Sequence, residues 1–297
     1  MNIQFIKYSK IYYIFSGILV VGAIFSLFVF GLNFGIDFKG GSILEAEFEK
    51  RPNNQEIIKK LVDLKLGELI VQPTEKEGVI LRFKAVDENT HQKIISRLNE
   101  LSKVKEKRFE SIGPAIGKEI RSQSLVLIII SLILMLIYIT IAFRRVSRPI
   151  SSFQYGLTSI VVLFFDILIP LGLFAILGKF YNAQFTIPII AALLTILGYT
   201  INDKIVVFDR IRENLLRARG EEFDEIVNRS LNEILVRSIN TSLSTMFVLL
   251  AIFFFGGKTL KYFSLTLTVG ILAGTYSSIF LASPILVSWL KLKRKRV

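Results

Sequence analysis

Cysteine is absent from the 297 residues and histidine occurs once, as His91. Thiol catalysis, disulfides and cysteine-based metal sites are thereby excluded. One imidazole cannot build a histidine-rich metal centre, and on a predicted surface helix His91 reads as a solvated side chain. Acids are the other scarcity, with 24 Asp and Glu against 37 Lys and Arg, for a net charge of +13. Such a balance invites a nucleic-acid reading, which the placement of the charge argues against. Lys7 and Lys10, then Arg144, Arg145 and Arg148, then Arg210 through Arg229, then Lys291 to Arg296 fall beside apolar runs in alternate connections, whereas the intervening short loops hold only Lys179, Lys258 and Lys261.

What is abundant is apolar: 52% of the residues are hydrophobic and the mean hydropathy is +0.55. A soluble domain typically has about 45–50% apolar residues in short runs, so the chain reads as a multi-span membrane protein. Runs long enough for the roughly 20 residues that cross a bilayer lie at Ile11–Leu32, Ser124–Phe143, Phe153–Leu177, Phe185–Phe208, Val236–Phe255 and Phe263–Leu290. The first exceeds the ~7–15 residues of a signal-peptide core and lacks an A-x-A site, so it reads as a retained span. By the positive-inside rule both termini are cytosolic and the long segment after the first span is outside. The expected organisation is residues 1–32 (N-terminus and first span), 33–123 (an exported domain) and 124–297 (spans two to six and a cytosolic C-terminus).

Within the exported segment, alternation from Ile43 to Glu49 predicts a half-buried strand. A helix capped by Asn53 or Asn54 follows, then strands near Glu68–Gln72 and Val79–Lys84 joined by a turn through Glu75–Gly78, a helix over Glu88–Leu101 and a strand near Val104–Ser111. The order βαββαβ is that of a ferredoxin-like α+β sandwich. Glycine-rich punctuation flanks it. Gly35–Ser42 reads GIDFKGGS, with Gly35, Gly40 and Gly41 suiting a tight turn and Asp37 and Lys39 able to cap or pair; in IGPAIGKEI, Gly113, Pro114 and Gly117 predict a hinge or turn ahead of the second span, with Pro114 suited to a helix start. Nothing in the domain resembles a catalytic constellation, and no pattern asks for a cofactor or a metal.

The chemistry-bearing residues lie in the spans. The fourth continues past Asn202 and Asp203 into Ile205–Phe208, which places Asp203 inside or at the inner margin of the membrane, where a carboxylate costs on the order of 2.5 kcal/mol or more. The structural alternative is a helix that ends at Asn202. Asp166 in the third span is a second intramembrane acid, with a hydrogen-bonded structural role as its alternative. On the fifth span Arg237, Asn240 or Thr241, and Ser244 recur on one face, which must meet protein or water. On the sixth, Thr266, Gly270, Gly274 and Ser278 form a small-residue ridge for close helix packing. If Asp203 and Arg237 on adjacent spans meet, burial raises the acid's proton affinity and the guanidinium lowers it, which is what a conformation-coupled proton relay requires. With few acids, one chain needs a membrane partner to complete a path.

GIDFKGGS at Gly35–Ser42, IGPAIGKEI at Ile112–Ile120, GYTINDKIVVFDRIREN at Gly198–Asn214, VRSINTSLST at Val236–Thr245 and GTYSSIFLASP at Gly274–Pro284 resemble, in order, the signatures of the SecF family. This is the smaller half of the SecD–SecF protein-export complex, itself similar to resistance-nodulation-division transporters. The resemblance implies six spans, an exported ferredoxin-like domain after the first, and no enzymatic activity. It implies pairing with SecD in the bacterial cytoplasmic (inner) membrane and association with a SecYEG-type channel, together with SecA and YajC- or YidC-type proteins. The proton-motive force would then help unfolded preproteins cross; no nucleic acid is implied. Asp203 and Arg237 match the family's relay acid and arginine. The family's His-Asp pair on the third span matches only at Asp166, since Phe165 stands where histidine is usual. Lys204 is a second departure, standing where a small polar residue is usual; one residue on from Asp203, it projects about 100° around the helix and leaves the relay face. Two other readings are a subunit of a small-molecule exporter, which would need larger exported domains, and an intramembrane aspartyl protease using Asp166 and Asp203.

Overall fold

The computed structural model describes residues 3–74, 77–144, 149–218 and 220–294. Glu75 and Lys76 of the expected turn, and Arg145, Arg148, Arg219, Lys295 and Arg296 of the basic clusters, lie outside the described residues. In chain order the elements are α1 Ser9–Phe30, the single-turn α2 Ile36–Lys39, β1 Gly41–Phe48, α3 Asn54–Leu61, β2 Ile70–Pro73, β3 Gly78–Phe83, α4 Glu88–Asn99, β4 Val104–Ile112, α5 Pro114–Ala142, α6 Ser152–Tyr181, α7 Ile187–Arg217, α8 Phe223–Phe255, α9 Lys258–Ser277, a π-helical segment Ser278–Ala282, and α10 Ser283–Arg294. Two compact units result, one of Met1–Asn33 with Leu127–Val297 and one of Phe34–Val126.

The smaller unit is a four-stranded antiparallel sheet ordered β2-β3-β1-β4. With α3 and α4 as the crossovers, this is the ferredoxin-like βαββαβ arrangement. Alternation sends Leu44, Ala46 and Phe48 of β1 and Val79, Leu81 and Phe83 of β3 to one face, where Ile57 and Leu61 of α3 and Ile94 and Leu98 of α4 close the core. Asn53 caps α3 in a capping box with Glu56, and Asp87 caps α4 by accepting the Thr90 amide at 3.1 Å. His91 corrects the sequence reading: it is buried, stacked on Phe109 with ring centroids 3.7 Å apart, and each ring nitrogen lies 3.1 Å from a carboxylate, Glu88 or Glu106. It sits one helical turn before Ile94 and two before Leu98, so it shares their inward face.

The two glycine motifs meet in this unit. Gly35 caps α2, its carbonyl accepting the Phe38 and Lys39 amides, while Ile36 and Phe38 are buried. Asp37 lies in the same turn. Gly40 has φ +76°, and a Cβ there would lie 2.8 Å from Cα of Pro114; one at Gly41 would lie 3.0 Å from the Phe83 carbonyl oxygen, and one at Gly117 the same distance from the Gly40 nitrogen. Glycine at these positions therefore permits backbone-to-backbone packing. Pro114 opens α5 as anticipated, Gly113 precedes it, and α5 runs unbroken through Gly117.

Among the described residues, six helices are long and apolar enough to cross a membrane: Ile6–Phe30, Pro114–Ala142, Ser152–Tyr181, Ile187–Arg217, Phe223–Phe255 and Leu260–Leu292. Small residues set their closest contacts. On α6, a Cβ at Gly172 would lie 2.5 Å from Cα of Ala23, and the Ser26 hydroxyl of α1 donates to the Gly172 carbonyl at 3.0 Å. On α9, side-chain atoms at Gly270 and Gly274 would overlap Ile196 and Thr200 of α7. The Thr266–Ser278 ridge is thus filled from within the chain and needs no second protein. The N-terminal residues are fixed to α8 by two asparagines one turn apart. Asn232 accepts the Ile3 amide at 2.8 Å and donates to its carbonyl at 2.9 Å, Asn228 accepts the Ile6 amide at 3.2 Å, and Phe5 is buried against Phe280.

Candidate functional site

Helix α7 runs without a break past Asn202: it is helical from Ile187 to Arg217, so both Asp203 and Lys204 lie inside it, 7% and 0% exposed. This removes the alternative in which the helix stops before the acid. Successive residues turn by about 100°, so the two charged side chains enter different neighbourhoods.

Lys204 does leave the Asp203 direction, but into the helix bundle, where it meets α6 and α9. Its Nζ donates to Asp166 Oδ2 at 2.5 Å, to Ser277 Oγ at 3.3 Å and to the Thr200 carbonyl at 3.4 Å. Ser277 in turn donates to Asp166 Oδ1 at 2.5 Å. Both carboxylate oxygens of Asp166 are therefore engaged, in surroundings where Asp166 and Lys204 have no exposed side-chain surface. An aspartyl-protease reading needs two acids sharing one water, whereas Asp166 is ion-paired with Lys204 and bonded to Ser277. Phe165 packs 6.1 Å from the Tyr276 ring and contributes no polar group to the cluster.

Asp203 has a different set of partners. Thr275 of α9 donates to its Oδ2 at 3.4 Å, and the Thr275 hydroxyl lies 2.6 Å from that of Ser242 on α8. Hydroxyls both donate and accept, so Asp203, Thr275 and Ser242 form a continuous polar thread from α7 through α9 to α8. The structure does not bring Arg237 to Asp203: among the described residues the guanidinium makes no ion pair. It is exposed in a shallow groove with Glu233, Val236, Asn240, Thr241 and Ser244. The Thr241 and Ser244 hydroxyls bond back to carbonyls of Arg237 and Thr241, and Tyr199 of α7 reaches the Thr241 carbonyl at 3.1 Å. The side chains of Arg237, Asn240 and Asn202 are exposed with no hydrogen-bond partner among the described residues. Sequence reasoning identified the stripe and Asp203 but missed Ser277, Thr275 and Ser242. The signal was present in GTYSS at Gly274–Ser278, whose hydroxyls surround the ridge glycine that lets α7 approach. No group of three or more metal-ligating His, Cys, Asp or Glu occurs among the described residues.

Residues 92–292 match the family model described as protein export membrane protein SecD/SecF, C-terminal, and residues 25–50 match the SecD/SecF GG motif. Protein translocase subunit SecF of Thermobaculum terrenum is 41% identical over 302 aligned positions, covering 97% of this chain and 94% of that one. The subunit of the same name from Rickettsia typhi is 33% identical over 96% of this chain and 91% of its own. Among solved structures, the crystal structure of SecDF, a translocon-associated membrane protein from Thermus thermophilus, aligns with a TM-score of 0.84 at 32% identity, covering 98% of this chain and 39% of that one. A SecDF structure in a super-membrane-facing form aligns with a TM-score of 0.70, covering 40% of its length. The present chain thus spans about two fifths of the SecDF chains it matches.

Proposed function

The chain belongs to the SecD/SecF protein-export family, and from that premise we propose that it is a SecF-type translocase subunit that pairs with a SecD-type partner and draws on the proton-motive force. The observation that carries the reading is Asp203, a buried acid joined through Thr275 and Ser242 to a helix whose outer face bears Arg237. An arginine facing lipid costs about 2.5–3.5 kcal/mol at the centre of a span and less near its end, where Arg237 stands. Covering Arg237, Asn240 and Asn202 with a second set of helices would remove that cost, and the SecD-type partner supplies the cover. Asp203 is the proton carrier, and Arg237 acts on it once the partner encloses the groove. Asp166, already neutralised by Lys204, is structural in this scheme.

In the proposed setting the chain lies in the cytoplasmic membrane with both termini cytosolic, residues 33–123 outside, and a SecYEG-type channel with SecA, and YajC- or YidC-type proteins, as the wider assembly. Emerging unfolded preprotein is the substrate. About 2.3 kcal/mol is available per charge per 100 mV of potential. The test is export into inverted vesicles with ATP-driven initiation held constant and the proton gradient imposed or collapsed. Asp203→Asn keeps shape and hydrogen-bonding size, so the complex should assemble and lose the gradient-dependent increment. A full increment in that variant would make Asp203 a structural acid.

A further inference from the structure

Lys204 holds its charge on three oxygens contributed by three helices. Asp166 Oδ2, Ser277 Oγ and the Thr200 carbonyl lie 2.5, 3.3 and 3.4 Å from Nζ, one acceptor for each ammonium proton. A fourth oxygen, Oγ1 of Thr200, is buried and without a partner. Gly274 leaves the centre open, since a Cβ there would lie 3.6 Å from Asp166 Oδ2 and overlap the Thr200 side chain. A carboxylate, a hydroxyl and a main-chain carbonyl converging inside a helix bundle form the kind of ligand set that replaces the hydration shell of a small monovalent cation in membrane proteins. The lysine ammonium is a compact point charge of the same sign on a flexible stem.

We propose that the Lys204 ammonium is the tethered occupant of an oxygen-lined cation site between α6, α7 and α9, that it closes this site to free sodium, and that removing the amine opens the site to a monovalent inorganic cation. The charge balance selects the class of ion. One carboxylate neutralises one positive charge, whereas a divalent ion would leave a buried surplus charge, which is strongly unfavourable. The inference concerns equilibrium binding at Asp166 and does not depend on proton transfer at Asp203, so either can fail without the other.

The experiment uses the full chain purified with its co-expressed SecD-type partner and compares thermal unfolding in sodium, potassium and choline chloride at equal ionic strength. Wild type should unfold at the same midpoint in all three and bind no radioactive sodium. Lys204→Ser, which vacates the volume and keeps a hydroxyl, should show a saturable upward shift in sodium relative to choline, as expected for a ligand that binds only the folded state, and should bind one sodium per chain. Adding Asp166→Asn should abolish that shift. Lys204→Met, which refills the volume with an apolar side chain, should be destabilised equally in every salt. Two results would overturn the proposal: sodium-specific stabilisation of wild type that Asp166→Asn removes, or a Lys204→Ser protein without sodium dependence. A Lys204→Ser chain that fails to fold even in sodium counts equally against it, because sodium is required to stand in for the amine.

Discussion

The two units bury opposite things. In Phe34–Val126 the interior is Leu44, Leu81, Ile57 and Leu98, while charged pairs such as Lys107 with Glu47 and Lys103 with Glu49 sit on the surface. In the helical unit the most deeply enclosed groups include Asp166, Lys204, Thr200 and Ser277, while Phe28, Phe247 and Phe255 are exposed. Water drives the first arrangement, because apolar area leaves it. In the second, lipid is as apolar as leucine and gives no such drive, so close small-residue contacts and internal polar bonds hold the helices together. The spans differ among themselves as well: Pro114–Ala142 is almost wholly uncovered, whereas most of Leu260–Leu292 is buried. The span that carries the hydroxyls and the ridge glycines is the one at the centre.

Breaking the buried pair is the harshest test of this contrast. Lys204→Met should destabilise the helical unit by about 3–5 kcal/mol by leaving Asp166 uncompensated, and Asp166→Asn added to it should recover most of the loss, both read as unfolding midpoints of the purified complex. If the single change were neutral, polar bonds would not hold these helices. Next, Leu81→Ala should cost the sheet unit about 2–5 kcal/mol through transfer and cavity terms, seen as faster amide exchange in β1 and β3 with the helices unaffected. A packing test sharpens the comparison. Gly274→Ala should cost about 1–3 kcal/mol by overpacking against Thr200, and Thr200→Ser, which deletes the nearer obstructing atom, should recover part of the thermal midpoint. Smallest is a pH effect at the start of α4. Hydrogen bonds from the Thr90 hydroxyl and amide hold the exposed Asp87 carboxyl below its ordinary range. The cap's contribution is therefore complete above the unfolded-state value and is lost as pH falls through the lower folded value. Asp87→Asn should remove this acid dependence of Thr90 amide exchange while keeping the cap.

The fold was legible because both units obey simple periods. Alternation at Ile43–Glu49, helical spacing at Ile57–Leu61 and six apolar runs each specify an element without reference to distant residues. His91 was misplaced because counting only apolar residues omitted a polar ring that shares a face with Ile94 and Leu98. The pairing of Lys204 with Asp166 could not be read, since the two residues are 38 positions apart and their meeting depends on how α6, α7 and α9 rotate about their axes. Asp203 was identifiable from depth alone. Its thread to Ser242 required a third helix to supply Thr275, and Arg237 proved to face outward because Ser238 and Ser242 take the inward side of α8.

The asparagine clamp has a consequence for how the molecule is made. Ile3 and Ile6 are synthesised well before the side chains that bind them, since Asn232 and Asn228 lie 229 and 222 residues later. At about 5–20 residues per second, the leading segment waits on the order of tens of seconds for its acceptors. During that interval Phe5 has no Phe280 to cover it, and the segment around Phe5 is open to chaperones and proteases. Docking of the Ile3–Ile6 segment thus reports that the fifth and sixth spans are in place, and its protection from cleavage would time the completion of the nascent bundle.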